Sequence, residues 1–252
     1  MDLGIDGKRV LITGASQGLG ASIAKLFSES GAKVSIISRR KRELQEIVNS
    51  IGGENKGHSW HVYDLMEKGA PTHASLEILQ KHGSVDIIVH NLGGTLNVKD
   101  PLSPVNEWYR VWTLNVGIAI EMNSILIPKM IKQSWGRVIH ISSISAETVR
   151  GSSPYAASKA YLNAYTKGIG RSLAQQGIVV SAIMPGAFIS EGGHWDNIKK
   201  NNPEMMHDFL RHHHAIGRLG NPDEIAPFVL FLSSKFVTFA QGTIVNVDGG
   251  TM

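Results

Sequence analysis

Tyr155 and Lys159 lie four residues apart at the start of an alanine-rich segment whose pattern predicts a helix. On an α-helix this spacing places both side chains on one face. A free phenol has a pKa of about 10, so it exchanges protons poorly at neutral pH unless nearby positive charge stabilises the phenolate. Lys159 can supply that charge. The pair therefore predicts a general acid or base for interconversion of a carbonyl and an alcohol, provided that another group gives or takes hydride. The alternative is a surface helix without chemistry.

A glycine-rich loop separates the first apolar run from a segment with helical periodicity. Residues 10–12 predict a strand, residues 13–20 form the loop, and the apolar spacing of residues 19–27 predicts a helix. Glycines permit unusual backbone angles and close approach, so backbone N–H groups at the helix start can face a pyrophosphate. A tight turn without a ligand is the alternative. The order of strand, glycine loop and helix favours dinucleotide binding.

Two residues with phosphate-binding chemistry follow the second predicted strand, residues 33–37. A carboxylate at this point would bind a ribose 2′-hydroxyl, whereas Ser38 and Arg39 offer a hydroxyl and a guanidinium suited to a 2′-phosphate. The sequence therefore predicts NADP(H) as the preferred cofactor, with NAD(H) as the alternative. We interpret some of the basic residues 40–42 as the solvated start of the next helix.

Small or polar residues also follow the later strands. The predicted strands cover residues 59–63, 85–90, 136–141, 178–183 and 243–247. After the first four come Asp64, residues 91–94, Ser142 with Ser143, and Pro185 with Gly186. Ligands of a doubly wound sheet lie outside the carboxyl ends of its strands, so these loops should line one crevice. Asp64 is expected to accept a bond from an adenine amino group, and an Asp that caps a loop is the competing interpretation.

Composition limits the classes of protein to consider. A chain of 252 residues that is 42% hydrophobic can bury a large core, and we expect one domain. Its 25 basic and 21 acidic residues are spread along the chain, without the basic arm that nucleic acid usually demands. The absence of cysteine rules out disulfides and thiolate zinc sites. With neither a signal-peptide pattern nor a membrane span, the prediction is a soluble cytoplasmic protein that binds neither nucleic acid nor membrane.

Two longer segments complete the pattern. Residues 104–131 predict a mostly helical stretch that carries Asn115, and residues 155–176 predict the helix of Tyr155. Between residues 187 and 220 the periodicity breaks and the composition becomes polar, which predicts a substrate loop with short helical pieces. Its three consecutive histidines, residues 212–214, point in different directions on a helix and lack further ligands, so no metal site is expected.

Together these motifs resemble the short-chain dehydrogenases/reductases that share a Thr-Gly-x-x-x-Gly-x-Gly loop. The resemblance runs nearly end to end and is carried by residues 13–20, Asp64, residues 91–93, Asn115, Ser143, Tyr155, Lys159, Pro185, Gly186 and residues 247–250. It implies an α/β fold over residues 1–252: a single Rossmann-type, doubly wound domain of seven parallel strands with helices on both faces. It also implies NAD(P)(H) binding and an assembly that is usually a homotetramer, with a dimer as the alternative.

The resemblance further implies an active-site tetrad of Asn115, Ser143, Tyr155 and Lys159. Tyr155 would transfer the proton and Ser143 would hydrogen-bond the substrate oxygen. Lys159 would lower the Tyr155 pKa and hold the ribose hydroxyls, and Asn115 would hold a water that links Lys159 to solvent. The expected cofactor-binding residues are Gly14, Ser16, Gln17, Gly18, Leu19, Gly20, Ser38, Arg39, Asp64, Leu65, Asn91, Gly93, Tyr155, Lys159, Pro185 and Gly186.

Two positions depart from the family pattern. Leu92 replaces a small residue beside the cofactor, which affects the local fit more than the activity. Ser190 stands where many members carry threonine after the Pro-Gly turn, and it retains a hydroxyl for the nicotinamide carboxamide.

Overall the chain is similar to reductases of 3-oxoacyl groups carried on acyl carrier protein. Two positions where such reductases carry docking arginines fall at Ser134 and Gln176, which are neutral, although Lys132 and Arg171 lie near them in sequence. The polar loop over residues 190–214 favours a small polar, sugar-like carbonyl or alcohol, with the carrier-bound 3-oxoacyl thioester as the runner-up. A protein that senses or regulates through a bound dinucleotide without turnover is the alternative of another class.

Overall fold

The strands form one parallel sheet in the computed structural model, which describes residues 1–149 and 151–251. They are β1 (Arg9–Thr13), β2 (Lys33–Ser38), β3 (Ser59–Val62), β4 (Ile87–His90), β5 (Gly136–Ile141), β6 (Ile178–Pro185) and β7 (Ile244–Val247). Their order in the sheet is β3-β2-β1-β4-β5-β6-β7. The chain runs outward from β1 to one edge and then returns to the middle, so the direction of winding reverses between β1 and β4. Ligands of such sheets bind at this reversal.

Helices cover both faces of the sheet. They are α1 (Gly18–Glu29), α2 (Lys41–Ser50), α3 (Ala70–His82), α4 (Val105–Trp112), α5 (Ile118–Lys132), α6 (Ser145–Thr148), α7 (Ser153–Leu173), α8 (His194–Asn201), α9 (Pro203–His213) and α10 (Pro222–Leu232). Helices α1, α2 and α10 contribute to one hydrophobic cluster, and α3, α5 and α7 pack on the other. The predicted doubly wound α/β fold is therefore confirmed.

The central strands are buried along their whole length because both faces of the sheet are covered. All eight residues of β6 and all four residues of β4 are buried. Continuous apolar runs of this kind were the signal that predicted the strands. Several strand boundaries differ from the predicted ones by one or two residues; β4, for example, begins at Ile87 and not at Val85.

The helical stretch predicted over residues 104–131 is interrupted by a π-helical turn, Thr113–Gly117, which joins α4 to α5. Asn115 lies inside this turn. By length and composition alone the stretch Val105–Lys132, with a mean hydropathy of 1.3, is able to cross a membrane, but 56% of its apolar window is buried inside the protein. It has the character of a core helix.

Helix α7 begins two residues earlier than predicted because Ser152 caps it. The Ser152 hydroxyl accepts a hydrogen bond from the Tyr155 backbone N–H at 3.3 Å and donates to the Val98 carbonyl at 2.6 Å. The cap therefore fixes the first turn of α7 and ties it to the loop after β4. The regular helix ends at Leu173, and a 3₁₀ turn, Ala174–Gln176, completes the predicted segment.

The segment between β6 and α10 contains two helices, α8 and α9, in agreement with the short helical pieces expected there. Its two ends meet at the base, where Phe188 forms a parallel bridge with Gly220. The Ile189 N–H donates to the Gly220 carbonyl at 2.9 Å, and the Gly220 N–H donates to the Ala187 carbonyl at 3.0 Å. The segment therefore leaves the sheet and returns to it at one point.

Candidate active site

The loops after β1 and β4 are bonded directly to each other. The Thr13 hydroxyl accepts hydrogen bonds from the backbone N–H groups of Asn91 and Leu92, each at 3.1 Å. In return, the Asn91 side-chain amide donates to the carbonyls of Thr13 and Gly14, each at 3.1 Å. This reciprocal pairing fixes the glycine loop at the point where the winding of the sheet reverses.

The glycines of this loop are required by its geometry. Gly14 has a φ of 66°, a left-handed conformation that side chains rarely adopt. A Cβ at Gly20 would lie 2.6 Å from the Asn91 side-chain nitrogen and 2.7 Å from the Gly14 carbonyl. Helix α1 begins at Gly18, and the preceding Gln17 side chain does not cap it. The N–H groups of the first helical turn can therefore bind an anion, and the loop fits the pyrophosphate of a dinucleotide.

Arg40 contacts this loop, although its side chain is 43% exposed. It was grouped with residues taken in part as a solvated helix start, but its guanidinium donates to the Ser16 hydroxyl at 2.8 Å and to the Gln17 side-chain carbonyl at 2.6 Å. Arg40 was not predicted to bind the cofactor. The pair of adjacent arginines was the available signal, but it did not say which guanidinium turns toward the loop.

Arg39 and Asp64, predicted to contact different parts of the adenosine, lie close to each other. The Arg39 guanidinium is 3.7 Å from an Asp64 carboxylate oxygen, and the Arg39 side chain is 74% exposed. The other Asp64 oxygen accepts a hydrogen bond from the Met66 N–H at 3.0 Å, as the loop-capping interpretation anticipated. Leu65, between them, is buried. The exposed guanidinium remains accessible to a phosphate group beside Ser38, which ends β2.

Asn115 is held from three sides by backbone groups. Its side-chain amide donates to the carbonyls of Gly94 and Val111, each at 2.8 Å, and its side-chain carbonyl accepts from the Gly94 N–H at 3.0 Å. The π-helical turn places this side chain inward, where Asn115 is only 3% exposed. Turns of this type are frequent at functional sites.

Gly93 lies between two members of the predicted tetrad. A Cβ at this position would come within 2.8 Å of the Asn115 side-chain oxygen and 3.0 Å of the Lys159 ammonium nitrogen. The structure therefore brings Asn115, Lys159 and the loop after β4 together around one residue that has no room for a side chain.

Lys159 is buried and bonded to the sheet. It is 2% exposed, and its ammonium donates to the Ile141 carbonyl at 2.7 Å, at the carboxyl end of β5. Burial lowers the pKa of Lys159 to about 7, because the charged form loses hydration. This lysine can therefore gain or lose a proton near neutral pH.

The pKa of the half-buried Tyr155 phenol does not follow the expectation that Lys159 lowers it. Burial raises the pKa of Tyr155, and the neighbouring Ser143 hydroxyl offsets part of this rise. The Lys159 ammonium is 5.6 Å from the centroid of the Tyr155 ring and is directed to the Ile141 carbonyl. At neutral pH the phenol therefore keeps its proton and is suited to donate it as a general acid.

Ser143 completes the tetrad beyond the end of β5. Its hydroxyl accepts a hydrogen bond from the Ser145 N–H at 3.1 Å, and it is close enough to the Tyr155 phenol to lower the pKa of that phenol. The four predicted residues therefore meet at the carboxyl ends of β4 and β5. Together they can donate a proton to an oxygen, hydrogen-bond that oxygen through Ser143, and restore the proton from a neighbouring lysine.

The remaining candidate residues also lie at the carboxyl ends of the strands. Pro185 ends β6, and a Cβ at Gly186 would meet the Asp248 carbonyl at 2.5 Å, so the backbones after β6 and β7 are in close contact. Ser190 packs against the glycine loop, because a Cβ at Gly18 would lie 3.1 Å from the Ser190 Cβ. The start of the substrate loop thus touches the predicted pyrophosphate site, while Leu19 is buried in the core.

Ser134 and Gln176 lie at the amino ends of the strands, opposite the tetrad. Ser134 precedes β5 and Gln176 precedes β6, whereas the tetrad lies beyond the carboxyl ends of the strands. Within one subunit these positions do not line the mouth of the site. Among residues 1–149 and 151–251, no group of three or more His, Asp or Glu side chains is arranged to hold a metal ion.

The sequence and the fold together identify the family. The sequence model of the short chain dehydrogenase family matches residues 8–200 of the chain. The chain therefore belongs to the short-chain dehydrogenases, a family of oxidoreductases that act on small molecules.

Individual relatives differ in their substrates. A 3-oxoacyl-[acyl-carrier-protein] reductase of Chlamydia pneumoniae is 32% identical over 251 residues, covering 99% of each chain. A gluconate 5-dehydrogenase of Gluconobacter oxydans is 28% identical over 249 residues, covering 98% of this chain and 95% of the relative. The crystal structure of L-sorbose reductase from Gluconobacter frateurii, complexed with NADPH and L-sorbose, superimposes with a TM-score of 0.91 at 28% identity, covering 100% of this chain and 99% of the other.

Proposed function

We propose that this protein is an NADP(H)-dependent oxidoreductase that interconverts a carbonyl and a secondary alcohol on a small, polar substrate. The observation that carries the proposal is the convergence of Tyr155, Ser143, Lys159 and Asn115 beside a glycine loop able to bind a dinucleotide. A protein that only binds the cofactor has no use for these four groups in one place.

The proposed chemistry assigns a proton transfer to the protein. The bound cofactor supplies hydride to the carbonyl carbon, or accepts it in the reverse direction. In reduction, the Tyr155 phenol donates its proton to the substrate oxygen, and Ser143 hydrogen-bonds that oxygen as negative charge develops on it. Lys159, with a pKa of about 7, is the nearest buried group able to return a proton to Tyr155. The raised pKa of Tyr155 favours its role as a proton donor, which suits reduction.

The cofactor preference rests on the charge beside the end of β2. Arg39 and Arg40 follow Ser38, and no carboxylate of this short segment is placed to accept the ribose 2′-hydroxyl. A guanidinium beside a phosphate forms charge-assisted hydrogen bonds. Two solved relatives support the same preference, since L-sorbose reductase was crystallised with NADPH and a 3-oxoacyl reductase of Agrobacterium tumefaciens with NADP.

A small polar substrate is favoured by the substrate loop and by two relatives. The loop carries polar and aromatic side chains, with the Trp195 and Phe209 rings 4.3 Å apart, centroid to centroid, and His194 packed edge-on against Trp195. Aromatic faces beside hydrogen-bonding groups suit a compact polyol or keto sugar more than a long acyl chain. Gluconate 5-dehydrogenase and L-sorbose reductase act on compounds of this kind by their names.

A carrier-bound 3-oxoacyl thioester is the second candidate, because a reductase with that name is 32% identical over nearly the whole chain. The neutral residues Ser134 and Gln176 argue against it, and they lie at the amino ends of β5 and β6, away from the tetrad. The homotetramer implied by the family resemblance and the cytoplasmic location expected from the sequence remain predictions, as do the single domain over residues 1–252 and the substrate loop over residues 187–220.

The test compares wild type with Tyr155→Phe, which removes the ionisable group and little volume. Wild type should oxidise NADPH with at least one keto sugar or small ketone, and Tyr155→Phe should lose turnover by about a hundredfold or more while binding NADPH normally, as expected for loss of a general acid. Lys167→Met, at an exposed position of the same helix, is the control. Near-normal turnover by Tyr155→Phe would refute the mechanism.

The substrate class is tested in the same assay. A 3-oxoacyl group on acyl carrier protein, the same group on a short thiol, and a panel of keto sugars and polyols are compared by kcat/KM. A strong preference for the carrier-bound form would establish the second candidate. Tight NADPH binding without turnover of any carbonyl would favour the non-catalytic sensor.

A further inference from the structure

A buried network of polar side chains lies beneath the site and belongs to none of the groups discussed so far. It consists of His90 on β4, His140 on β5, Asn123 on α5 and Thr166 on α7, which are 5%, 0%, 3% and 0% exposed. His90 and His140 are register partners on adjacent strands, and their rings stack with centroids 5.3 Å apart. The network therefore joins helix α7, which carries Tyr155, to three elements next to the site: Asn91 follows β4, Ser143 lies just beyond β5, and the turn with Asn115 leads into α5.

The hydrogen bonds of the network run in defined directions. The Thr166 hydroxyl donates to the Leu162 carbonyl at 2.7 Å, so it must accept from His140 Nδ1, which lies 2.8 Å away. The Nε2 atom of His140 is then an acceptor, and it faces the Asn123 amide nitrogen at 3.5 Å. The Asn123 amide oxygen accepts from His90 Nε2 at 2.8 Å. Each ring therefore has one assigned tautomer.

This arrangement requires His140 to be neutral. A second proton on His140 would place an N–H against the Asn123 amide N–H. Burial lowers the pKa of His90 to about 4 and that of His140 well below its usual value, and Lys159 lowers the pKa of His140 further. The titratable groups facing His140 are His90 from β4 and Lys159 with Tyr165 from α7. Strand β6, its other neighbour, has no titratable residue between Ile178 and Pro185.

The network is bonded to the same two elements as Lys159. Ile141, which accepts the Lys159 ammonium, follows His140 directly on β5. Thr166, which accepts from His140, lies two helical turns after Lys159 on α7. Strand β5 and helix α7 are therefore tied at two successive points, one formed by Lys159 and the other by His140.

From this geometry we infer that His140 and Asn123 are positioning residues: the neutral network sets the separation of β5 and α7, and thereby places the Lys159 ammonium against the Ile141 carbonyl. The inference rests on the proposed function, because positioning of Lys159 matters only where Lys159 acts. A network that served only core stability would affect unfolding but not the titration of the site.

The first test is Thr166→Val, which keeps the shape of the side chain and removes the acceptor for His140 Nδ1. We expect kcat to fall about tenfold or more, since small displacements of a catalytic group cost at least this much. We also expect a shift in the pH at which NADPH affinity changes. The matched control is Ser233→Ala at the end of α10. Ser233 is likewise fully buried and donates to the carbonyl four residues before it, at 2.8 Å, but lies outside the network.

The second test is Asn123→Asp, which places a carboxylate between the two rings. A carboxylate facing His140 Nε2 would favour a proton on that atom, so a new ionisation should enter the pH profile between about pH 5 and 8. NADPH affinity is measured by fluorescence titration from pH 5.5 to 8.5, together with kcat and thermal stability. These readouts use the whole chain and the natural dinucleotide.

The outcomes separate this inference from the proposed function. If both variants unfold more easily but keep the wild-type pH profile, the network is structural only and the inference is wrong. If Asn123→Asp does not fold, Thr166→Val decides alone. If wild type turns over no carbonyl, the proposed function fails, whereas the pH dependence of NADPH affinity still shows whether the network acts on Lys159.

Discussion

Arg40 crosses from the start of α2 to the glycine loop, where its guanidinium lies 2.8 Å from the Ser16 hydroxyl. Arg39, the adjacent residue, points elsewhere and pairs with Asp64 at 3.7 Å. Two consecutive arginines therefore have separate surroundings at the place where a ribose 2′-phosphate is expected. Arg40 shapes the loop itself, while Arg39 stays exposed at its side.

We expect Arg39→Ala to weaken NADPH binding by about one to two decades, the value of a charge-assisted hydrogen bond of roughly 1.5–3 kcal/mol. NADH binding should hardly change, because NADH lacks the 2′-phosphate. Arg40→Ala should weaken both cofactors, since it removes the hydrogen bonds to Ser16 and Gln17. Fluorescence titrations with both cofactors are the measurement, and Arg42→Ala, which removes an exposed side chain paired with Glu46, is the control. Equal affinities of wild type for NADPH and NADH would contradict the cofactor preference.

Gly93→Ala should abolish most of the activity without unfolding the protein. The added Cβ would lie 2.8 Å from the Asn115 oxygen and 3.0 Å from the Lys159 nitrogen, so one of these groups must move. A displacement of this size at a reacting site costs about a hundredfold in rate. Turnover and thermal unfolding are measured side by side. Gly168→Ala is the control, because its Cβ meets nothing within 4 Å and alanine suits a helix interior.

The stability of the protein should depend on pH through Lys159. Its pKa is about 7 in the folded state against an ordinary value of 10.5, so the unfolded chain binds more protons between these values. Stability therefore rises with pH across this window and is lowest, as far as Lys159 is concerned, below pH 7. Lys159→Met removes this dependence. The difference in free energy of unfolding, variant minus wild type, should fall as the pH rises from 7 toward 10, and this can be measured by urea denaturation.

Lys167→Met provides the comparison for that experiment, because Lys167 is an exposed residue on the same helix. Its free energy of unfolding should follow that of wild type at each pH. If the free energy of unfolding of Lys159→Met also follows that of wild type at each pH, Lys159 is not buried in its neutral form.

The parts of the fold that were predicted correctly depend on local signals. The glycine loop of residues 13–20 and the polar residues after each strand could be recognised because parallel strands buried on both faces leave continuous apolar runs. The start of α10 is also fixed by a local contact, because the Asn221 backbone N–H donates to the Glu224 carboxylate at 2.9 Å.

Other features depend on contacts between distant segments and were not predictable. The π-helical turn around Asn115 has almost the same apolar spacing as an α-helix, so the sequence pattern of residues 104–131 did not reveal it. His90 and His140 each looked like an ordinary residue of a buried strand. Their pairing becomes visible only when the register of β4 and β5 is known. The direction of Lys159 toward Ile141, rather than toward Tyr155, likewise required the structure.

The bridge between Phe188 and Gly220 closes the segment that is predicted to bind the substrate. Because the two ends of the substrate loop meet at this bridge, the segment between them can change in length or sequence while the spacing of β6 and α10 stays fixed. The end of the loop is also held from the other side, where the N–H groups of Ala215 and Ile216 donate to the carbonyls of Gly250 and Gly249, each at 3.1 Å. We therefore expect that residues 189–213 can be exchanged for those of a relative while β6 and α10 keep their places.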